Sequence, residues 1–92
     1  MPFLNIKIYG IVQGVGFRPF VSRLADEHGI LGNVCNKGPY VEVLAQGPQA
    51  SLDAFLDGLR HRAPERSTIL KIDVAEQAAS PSFSRFDIIE SA

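Results

Sequence analysis

Residues 10–20 read GIVQGVGFRPF, and the rest of the predicted fold extends outward from this stretch. Gly10, Gly14 and Gly16 fall within seven residues, and an arginine and a proline follow closely. Glycines leave main-chain amides uncovered and allow positive φ angles, while a proline suits the first turn of a helix. A loop of exposed amides that runs into a helix N-terminus can bind an anion. We therefore expect a strand, an anion-binding loop and a helix, with Arg18 where the loop becomes the helix.

The composition indicates one small domain with a modest core. The chain has 92 residues, of which 46% are hydrophobic. It contains 9 Lys and Arg residues and 10 Asp and Glu residues. A net charge of −1 argues against broad nucleic-acid binding, which needs excess positive charge. Cys35 is the only cysteine, which excludes a disulfide framework and a cysteine zinc site. With no apolar run near the ~18 residues of a membrane span and no signal peptide, we expect a cytoplasmic single domain over residues 1–92 and no membrane partner.

Periodic apolar patterns continue on both sides of the glycine loop. Alternating residues predict strands at 3–9, 30–36, 40–46, 67–76 and 83–89. Three- and four-residue spacing predicts one helix at 19–28 and a second that opens at 47–48 and ends before Pro64. Turns are predicted at 37–39 and 80–82. The fourth strand is expected to place Leu70, Ile72 and Val74 on one face.

This order of elements predicts a ferredoxin-like βαββαβ sandwich of the α+β class, an antiparallel sheet with two helices on one face. Residues 83–89 are expected to add an edge strand, with the fourth strand as the candidate partner. A right-handed crossover makes the first two strands parallel. The loop after the first strand and the end of the second then lie at one sheet edge, roughly 10 Å apart. Arg18 and Asn36 are therefore expected to approach one small ligand from two sides.

Arg18 and Asn36 are residue types that suit the hydrolysis of an acyl phosphate, a mixed anhydride of a carboxylic and a phosphoric acid. The reaction needs a grip on the phosphoryl oxygens and a water held in line. An arginine fork can bond two oxygens at once. A carboxamide can orient a water but cannot act as a general base. The residues expected to form the phosphate-binding loop are Gln13, Gly14, Val15, Gly16, Phe17 and Arg18.

Two segments resemble the motifs of a known family. GIVQGVGFR at 10–18 resembles the signature of the acylphosphatases, and GNVCN at 32–36 resembles their second motif. The resemblance implies that Arg18 is the phosphate-binding arginine and Asn36 the water-orienting asparagine. It also implies hydrolysis of a small-molecule acyl phosphate without a metal or another cofactor.

Within this family, GFRPFV at 16–21 and FDIIES at 86–91 resemble the N-terminal acylphosphatase-like domain of HypF-type carbamoyltransferases. That resemblance favours carbamoyl phosphate as substrate and implies a part in nickel–iron hydrogenase maturation. Downstream domains of the parent enzyme and other maturation proteins would then be partners. The zinc-binding cysteine pairs and adenylate-forming domains of the parent do not occur in this sequence. The chain is thus expected to be an N-terminal domain or a short relative, unable to transfer carbamoyl groups alone.

The hairpin after Asn36 departs from the family pattern. An acidic residue and a glycine usually precede the third strand, whereas this chain has Pro39 and Tyr40 there and Lys37 beside Asn36. Tyr40 resists a positive φ, so we expect a different type of turn. The catalytic positions are unaffected, but the substrate preference stays open.

Plainer interpretations of the same residues also stay open. Arg18 can instead pair with a surface carboxylate such as Glu42, and Asn36 can simply end a strand. Cys35 is expected to be buried and inert. A stand-alone acylphosphatase and a non-catalytic domain that binds a phosphorylated ligand are the alternative functions. An RNA-binding module of this topology would need exposed aromatic residues on the central strands, which the sequence does not indicate.

Overall fold

The computed structural model describes residues 2–78 and 82–89, which form a five-stranded sheet and two helices. The predicted ferredoxin-like order is confirmed, and the predicted turn at 80–82 falls mainly outside the described residues. Within the described ranges, neither helix is long and apolar enough to cross a membrane. The elements in chain order are β1 (Phe3–Ile11), α1 (Phe17–His28), β2 (Leu31–Asn36), β3 (Val41–Gln46), α2 (Gln49–His61), β4 (Thr68–Glu76) and β5 (Phe86–Ile89).

The strand order is β4-β1-β3-β2-β5. β1 and β2 each pair with β3 in the antiparallel sense, so β1 and β2 are parallel to one another, with β3 between them. The predicted parallel arrangement of the first two strands is therefore confirmed. The sheet edge at which β1 ends at Ile11 and β2 ends at Asn36 is called the loop edge below.

The core lies between the helices and one face of the sheet. The alternating residues of the two central strands point into it, as predicted, and the helices meet them with residues at three- and four-residue spacing. Full burial of one such large apolar side chain stabilises the fold by about 1.5–3 kcal/mol. The fully buried side chains at these positions include Ile6, Ile8, Val41, Val43, Val21, Leu52, Phe55 and Leu59.

The prediction that residues 83–89 pair with the fourth strand is wrong. β5 pairs with β2 instead, in the parallel sense, at the opposite side of the sheet from β4. Phe86 is buried there, in register with Gly32, and its ring contacts that of Phe55. Pairing on this side also covers main-chain groups of β2 that an edge strand would expose. The sheet is therefore mixed rather than purely antiparallel.

A β-bulge in β4 is a second difference from the predicted fold. The register of β4 against β1 shifts at Gly10, and Leu70 is the extra residue. An extra residue interrupts the alternation of side chains, so Ile69 packs against the core while Leu70 is 77% exposed. The predicted common face of Leu70, Ile72 and Val74 is therefore wrong at Leu70.

Candidate active site

The segment between β1 and α1 presents a row of main-chain amides. Gly14 and Gly16 have φ angles of 70° and 76°, and Gly16 is the N-cap of α1. No side chain caps this helix, and its first turn contains no acidic residue. α1 begins at Phe17 rather than at Pro19, because first-turn amides have no intrahelical partner and a proline is tolerated there. In the described part of the chain, the amides of 14–18 donate to no acceptor, which leaves them available to an anion.

Arg18 is the second residue of α1 and is half-buried. It forms no hydrogen bond or ion pair with any other residue of the described ranges. The alternative pairing with Glu42 is not found, because Glu42 accepts a hydrogen bond from Asn5 Nδ2 at 3.3 Å and lies 3.9 Å from Lys37 Nζ. The charge of Arg18 is therefore not neutralised by a carboxylate of the described residues.

Asn36 is the last residue of β2, at the loop edge. Its Oδ1 accepts a hydrogen bond from the Gly38 N–H at 2.8 Å. This local bond shapes the turn, as asparagine commonly does. It also fixes the plane of the carboxamide, while the Nδ2 group remains a donor and the oxygen keeps a second lone pair. Shaping a turn and orienting a small molecule are thus compatible roles for one side chain.

A side-chain hydrogen bond joins the glycine loop to the turn after Asn36. Gln13 Nε2 donates to the main-chain carbonyl of Gly38, 25 residues along the chain. The rings of Tyr9 and Tyr40, with centroids 5.3 Å apart, form a second contact across the same gap. The loop and the turn are therefore adjacent, as the topology predicts. The reach of Gln13 to Gly38 was not predicted, and its only sequence signal is a glutamine inside the glycine-rich loop.

The hairpin turn itself accommodates the unusual residues of this chain. The Lys37 N–H donates to the Tyr40 carbonyl at 2.9 Å and closes the turn. Gly38 adopts the positive φ of 97°, and no non-glycine residue of the described ranges has a positive φ. Tyr40 is therefore unstrained, which agrees with the expected change of turn type. Lys37 is directed toward Glu42.

The sheet face opposite the helices carries an aromatic pair that was not predicted from the sequence. Tyr9 and Tyr40 are half-buried in contact with each other. Lys7 Nζ lies 5.3 Å from the centroid of the Tyr40 ring, and Lys71 Nζ lies 5.4 Å from that of Tyr9. Each ring is thus partly covered by the other tyrosine and by a lysine.

Other chemistry at the loop edge is limited. Cys35 is buried, as predicted, and its Sγ lies 3.6 Å from the Asn36 carbonyl oxygen. Among residues 2–78 and 82–89, no three His, Cys, Asp or Glu side chains are grouped as a metal site requires. Among the described residues, the candidate ligand-binding groups of this edge are the amides of 14–18, the Arg18 guanidinium and the Asn36 carboxamide.

The chain forms a ferredoxin-like α+β domain, and its loop edge carries the amides of 14–18, Arg18 and Asn36. The sequence profile of the acylphosphatase family matches residues 4–88, and the chain belongs to this family. A probable carbamoyltransferase HypF of Methanocaldococcus jannaschii is 43% identical over 88 residues, which are 96% of this chain and 12% of that protein. The crystal structure of an acylphosphatase from Bacillus subtilis superposes with a TM-score of 0.91 at 36% identity, over 97% of this chain and 99% of the other.

Full-length HypF in its phosphate- and nucleotide-bound form superposes with a TM-score of 0.94 at 33% identity, over 98% of this chain and 12% of that one. The chain therefore resembles both a small free acylphosphatase and one domain of a far longer enzyme. Membership of the family supports a hydrolase activity of the kind for which its stand-alone members are named.

Proposed function

We propose that this domain hydrolyses an acyl phosphate, with carbamoyl phosphate as the favoured substrate, and uses no metal. We propose further that it is the N-terminal part of a HypF-type carbamoyltransferase in nickel–iron hydrogenase maturation. The observation that carries the proposal is the hydrogen bond from Gln13 to Gly38, because it joins the amide loop to the turn of Asn36. The 43% identity to a HypF protein supports the proposed parent enzyme.

In this proposal the phosphoryl group binds at the N-terminus of α1. The amides of 14–18 donate to its oxygens, and the positive end of the helix dipole favours its charge. The Arg18 guanidinium bonds two of the oxygens through its planar fork. These groups are already oriented before the substrate arrives, so they stabilise the charge that the transition state spreads over the phosphoryl oxygens.

The Asn36 carboxamide orients the attacking water. The water oxygen bonds to phosphorus, the bond from phosphorus to the bridging oxygen breaks, and its electron pair leaves with the carboxylate. A proton of the water passes to the phosphate product. Because a carboxylic acid has a pKa of about 4, the leaving group needs no proton donor at neutral pH. A loose transition state likewise needs little activation of the water, so an asparagine, which is not a base, suffices.

The test is hydrolysis of carbamoyl phosphate and acetyl phosphate by the wild type, Arg18→Ala and Asn36→Ala. Each substitution is expected to lower kcat/KM about 10²–10³-fold, the usual cost of one preorganised donor. Matched controls are Arg23→Ala on the exposed side of α1 and Asn33→Ala in β2, which should retain activity. Unchanged hydrolysis in Arg18→Ala and Asn36→Ala would contradict the catalytic assignment. Loss of activity in EDTA would contradict the metal-free mechanism.

A stand-alone acylphosphatase is the second candidate, because the superposition covers 99% of the length of the Bacillus subtilis enzyme. The two candidates differ in substrate preference and in the gene. A higher kcat/KM for carbamoyl phosphate than for acetyl or benzoyl phosphate, together with paired cysteine motifs encoded downstream, is the result expected for the HypF-type domain. Equal turnover of all three, with no such downstream motifs, favours the free enzyme. Phosphate binding without turnover would indicate a non-catalytic domain.

A further inference from the structure

Gln13 contacts the turn that follows Asn36, although it lies in the proposed phosphate-binding loop. Its Nε2 group donates to the Gly38 carbonyl, and the Gly38 N–H donates to Asn36 Oδ1 at 2.8 Å. We infer that Gln13 is a positioning residue, which holds the Asn36 carboxamide in place through Gly38. This inference rests on the proposed function, since it is the water-orienting role of Asn36 that Gln13 would support.

Gly38 is held on both sides. The peptide plane before it is fixed by Asn36, and the plane after it is fixed by Gln13. Peptide planes are rigid, so only the φ and ψ of Gly38 separate the two bonds. Glycine restricts these torsions least of all residues, and here φ is 97°. The hydrogen bond from Gln13 therefore supplies a restraint that the Gly38 backbone lacks by itself.

Other contacts of the turn do not replace this restraint. The Lys37 N–H bonds to the Tyr40 carbonyl, Lys37 Nζ approaches Glu42, and the Tyr40 ring lies on Tyr9. These contacts hold the two ends of the turn but leave the Gly38 carbonyl untouched. In the described part of the chain, Gln13 is the only donor to that carbonyl.

The position of this bond predicts which step it affects. Gln13 does not use its side chain on the amides of 14–18 or on Arg18, so phosphate binding should survive its loss. A poorly held Gly38 peptide would let the Asn36 carboxamide rotate away from the water. A misplaced orienting group slows the chemical step and leaves substrate binding unchanged.

The decisive variant is Gln13→Met, which keeps the length of the side chain and removes the donor. Gln13 is exposed, so the variant should fold. We expect kcat for carbamoyl phosphate to fall about threefold to tenfold, the rate equivalent of one net hydrogen bond. KM and competitive inhibition by inorganic phosphate should not change. Gln49→Met is the matched control, because Gln49 is an exposed glutamine that donates to Asp53 at 2.9 Å on α2, and it should retain wild-type kinetics.

A double-mutant cycle separates positioning from a direct role. If Gln13 acts through Asn36, Gln13→Met should cause no further loss in the Asn36→Ala background. The same fold-loss in both backgrounds would overturn the inference. A higher KM and weaker phosphate inhibition with unchanged kcat would also overturn it, because Gln13 would then help to bind the phosphoryl group.

A measurement without turnover keeps this inference distinct from the proposed function. In ¹⁵N-labelled protein, Gln13→Met should lower the hydrogen-exchange protection of the Gly38 amide and shift the side-chain NH₂ signals of Asn36. The Gln49→Met control should alter neither. Unchanged Gly38 and Asn36 signals in Gln13→Met would refute the positioning role even in an active enzyme. An inactive wild type with the expected spectral changes would refute the proposed function alone.

Discussion

The rings of Phe55 and Phe86 meet edge to face, with their centroids 6.4 Å apart. Phe55 is fully buried in α2, and Phe86 is the first residue of β5. The contact ties β5 to the helical layer beside β2, the strand that ends at Asn36. β5 then follows β2 in register as far as Cys35, directly before that asparagine. A short strand near the end of the described chain thus supports β2, which carries one half of the candidate site.

Phe86→Ala tests this anchor. Removal of a buried aromatic ring should lower the free energy of unfolding by about 3 kcal/mol, the lower end of the usual range for Phe→Ala. Urea unfolding followed by circular dichroism measures the loss. Ile89→Ala in the same strand is the control, because Ile89 is 42% exposed and should cost below about 1 kcal/mol. Similar losses in both variants would show that Phe86 does not anchor the strand.

The central strands and both helices could be predicted because their residues obey local periodicities. Ile6 and Ile8 alternate, while Leu52 and Phe55 follow helical spacing, and all four lie in the core. The partner of β5 could not be predicted in the same way. An alternation of apolar residues identifies a strand and its inner face, but it does not say which side of the sheet the strand joins. The pairing depends on the long-range fit of Phe86.

Gly32→Ala should be strongly destabilising. A Cβ at Gly32 would lie 1.8 Å from the main-chain oxygen of Leu44 on the neighbouring strand, and the backbone φ is 143°. A main-chain atom within a sheet cannot move aside as a flexible side chain can, so we expect a loss on the order of 3 kcal/mol or more. Gly14→Ala offers the contrast, because its φ is 70° but no atom lies within 4 Å of the added Cβ.

For Gly14→Ala only the left-handed conformation is unfavourable, which costs roughly 1–2 kcal/mol. Thermal and urea unfolding of both variants give the comparison. If Gly32→Ala proves as stable as Gly14→Ala, the close approach of β2 to β3 at this point is wrong.

The stability of the domain should depend on pH through Glu27. Arg62 donates to both Glu27 oxygens, at 2.6 and 3.2 Å, and this hydrogen bonding lowers the pKa of the Glu27 carboxyl. A lowered folded-state pKa means that the stabilisation is present above the unfolded pKa. It is lost as the pH falls through the lower, folded-state value. The window of loss therefore lies below about pH 4.

Glu27→Gln is accordingly expected to lower the urea midpoint at pH 7 by a small amount, since the pair is exposed and screened. The difference from the wild type should shrink as the pH falls below about 4, because protonation of the wild-type Glu27 carboxylate then removes the charge that Arg62 binds. Asp26→Asn is the control, because its exposed carboxylate is next to Glu27 but outside the pair with Arg62. A difference that stays constant as the pH falls would show that the carboxylate charge is not its cause.

The candidate site, like the fold, has some features that the sequence predicts and others that it does not. Arg18 and Asn36 could be proposed from their motifs and from the crossover that makes β1 and β2 parallel, and their roles stay a prediction. The bond from Gln13 to Gly38 was not predicted, because a side-chain contact between two irregular segments leaves no periodic trace in a sequence. The bulge that exposes Leu70 could not be predicted either. One inserted residue changes which side chains of β4 point to the core, but it does not change the apolar composition of the strand.

Inorganic phosphate should stabilise the domain against unfolding, independently of catalysis. A ligand that binds only the folded state adds about 2.7 kcal/mol when its concentration is a hundred times Kd. Because the amides of 14–18 and Arg18 are unbonded in the described structure, we expect the Tm to rise with phosphate concentration. Arg18→Ala should require at least tenfold more phosphate for the same rise, since charge-assisted bonds contribute roughly 1.5–3 kcal/mol.

Arg23→Ala should follow the wild-type curve of Tm against phosphate concentration. Asn36→Ala should stay close to that curve, because the proposed role of Asn36 is to orient the water and not to bind the phosphate. An Arg18→Ala curve that matches the wild type would move the anion site away from the N-terminus of α1.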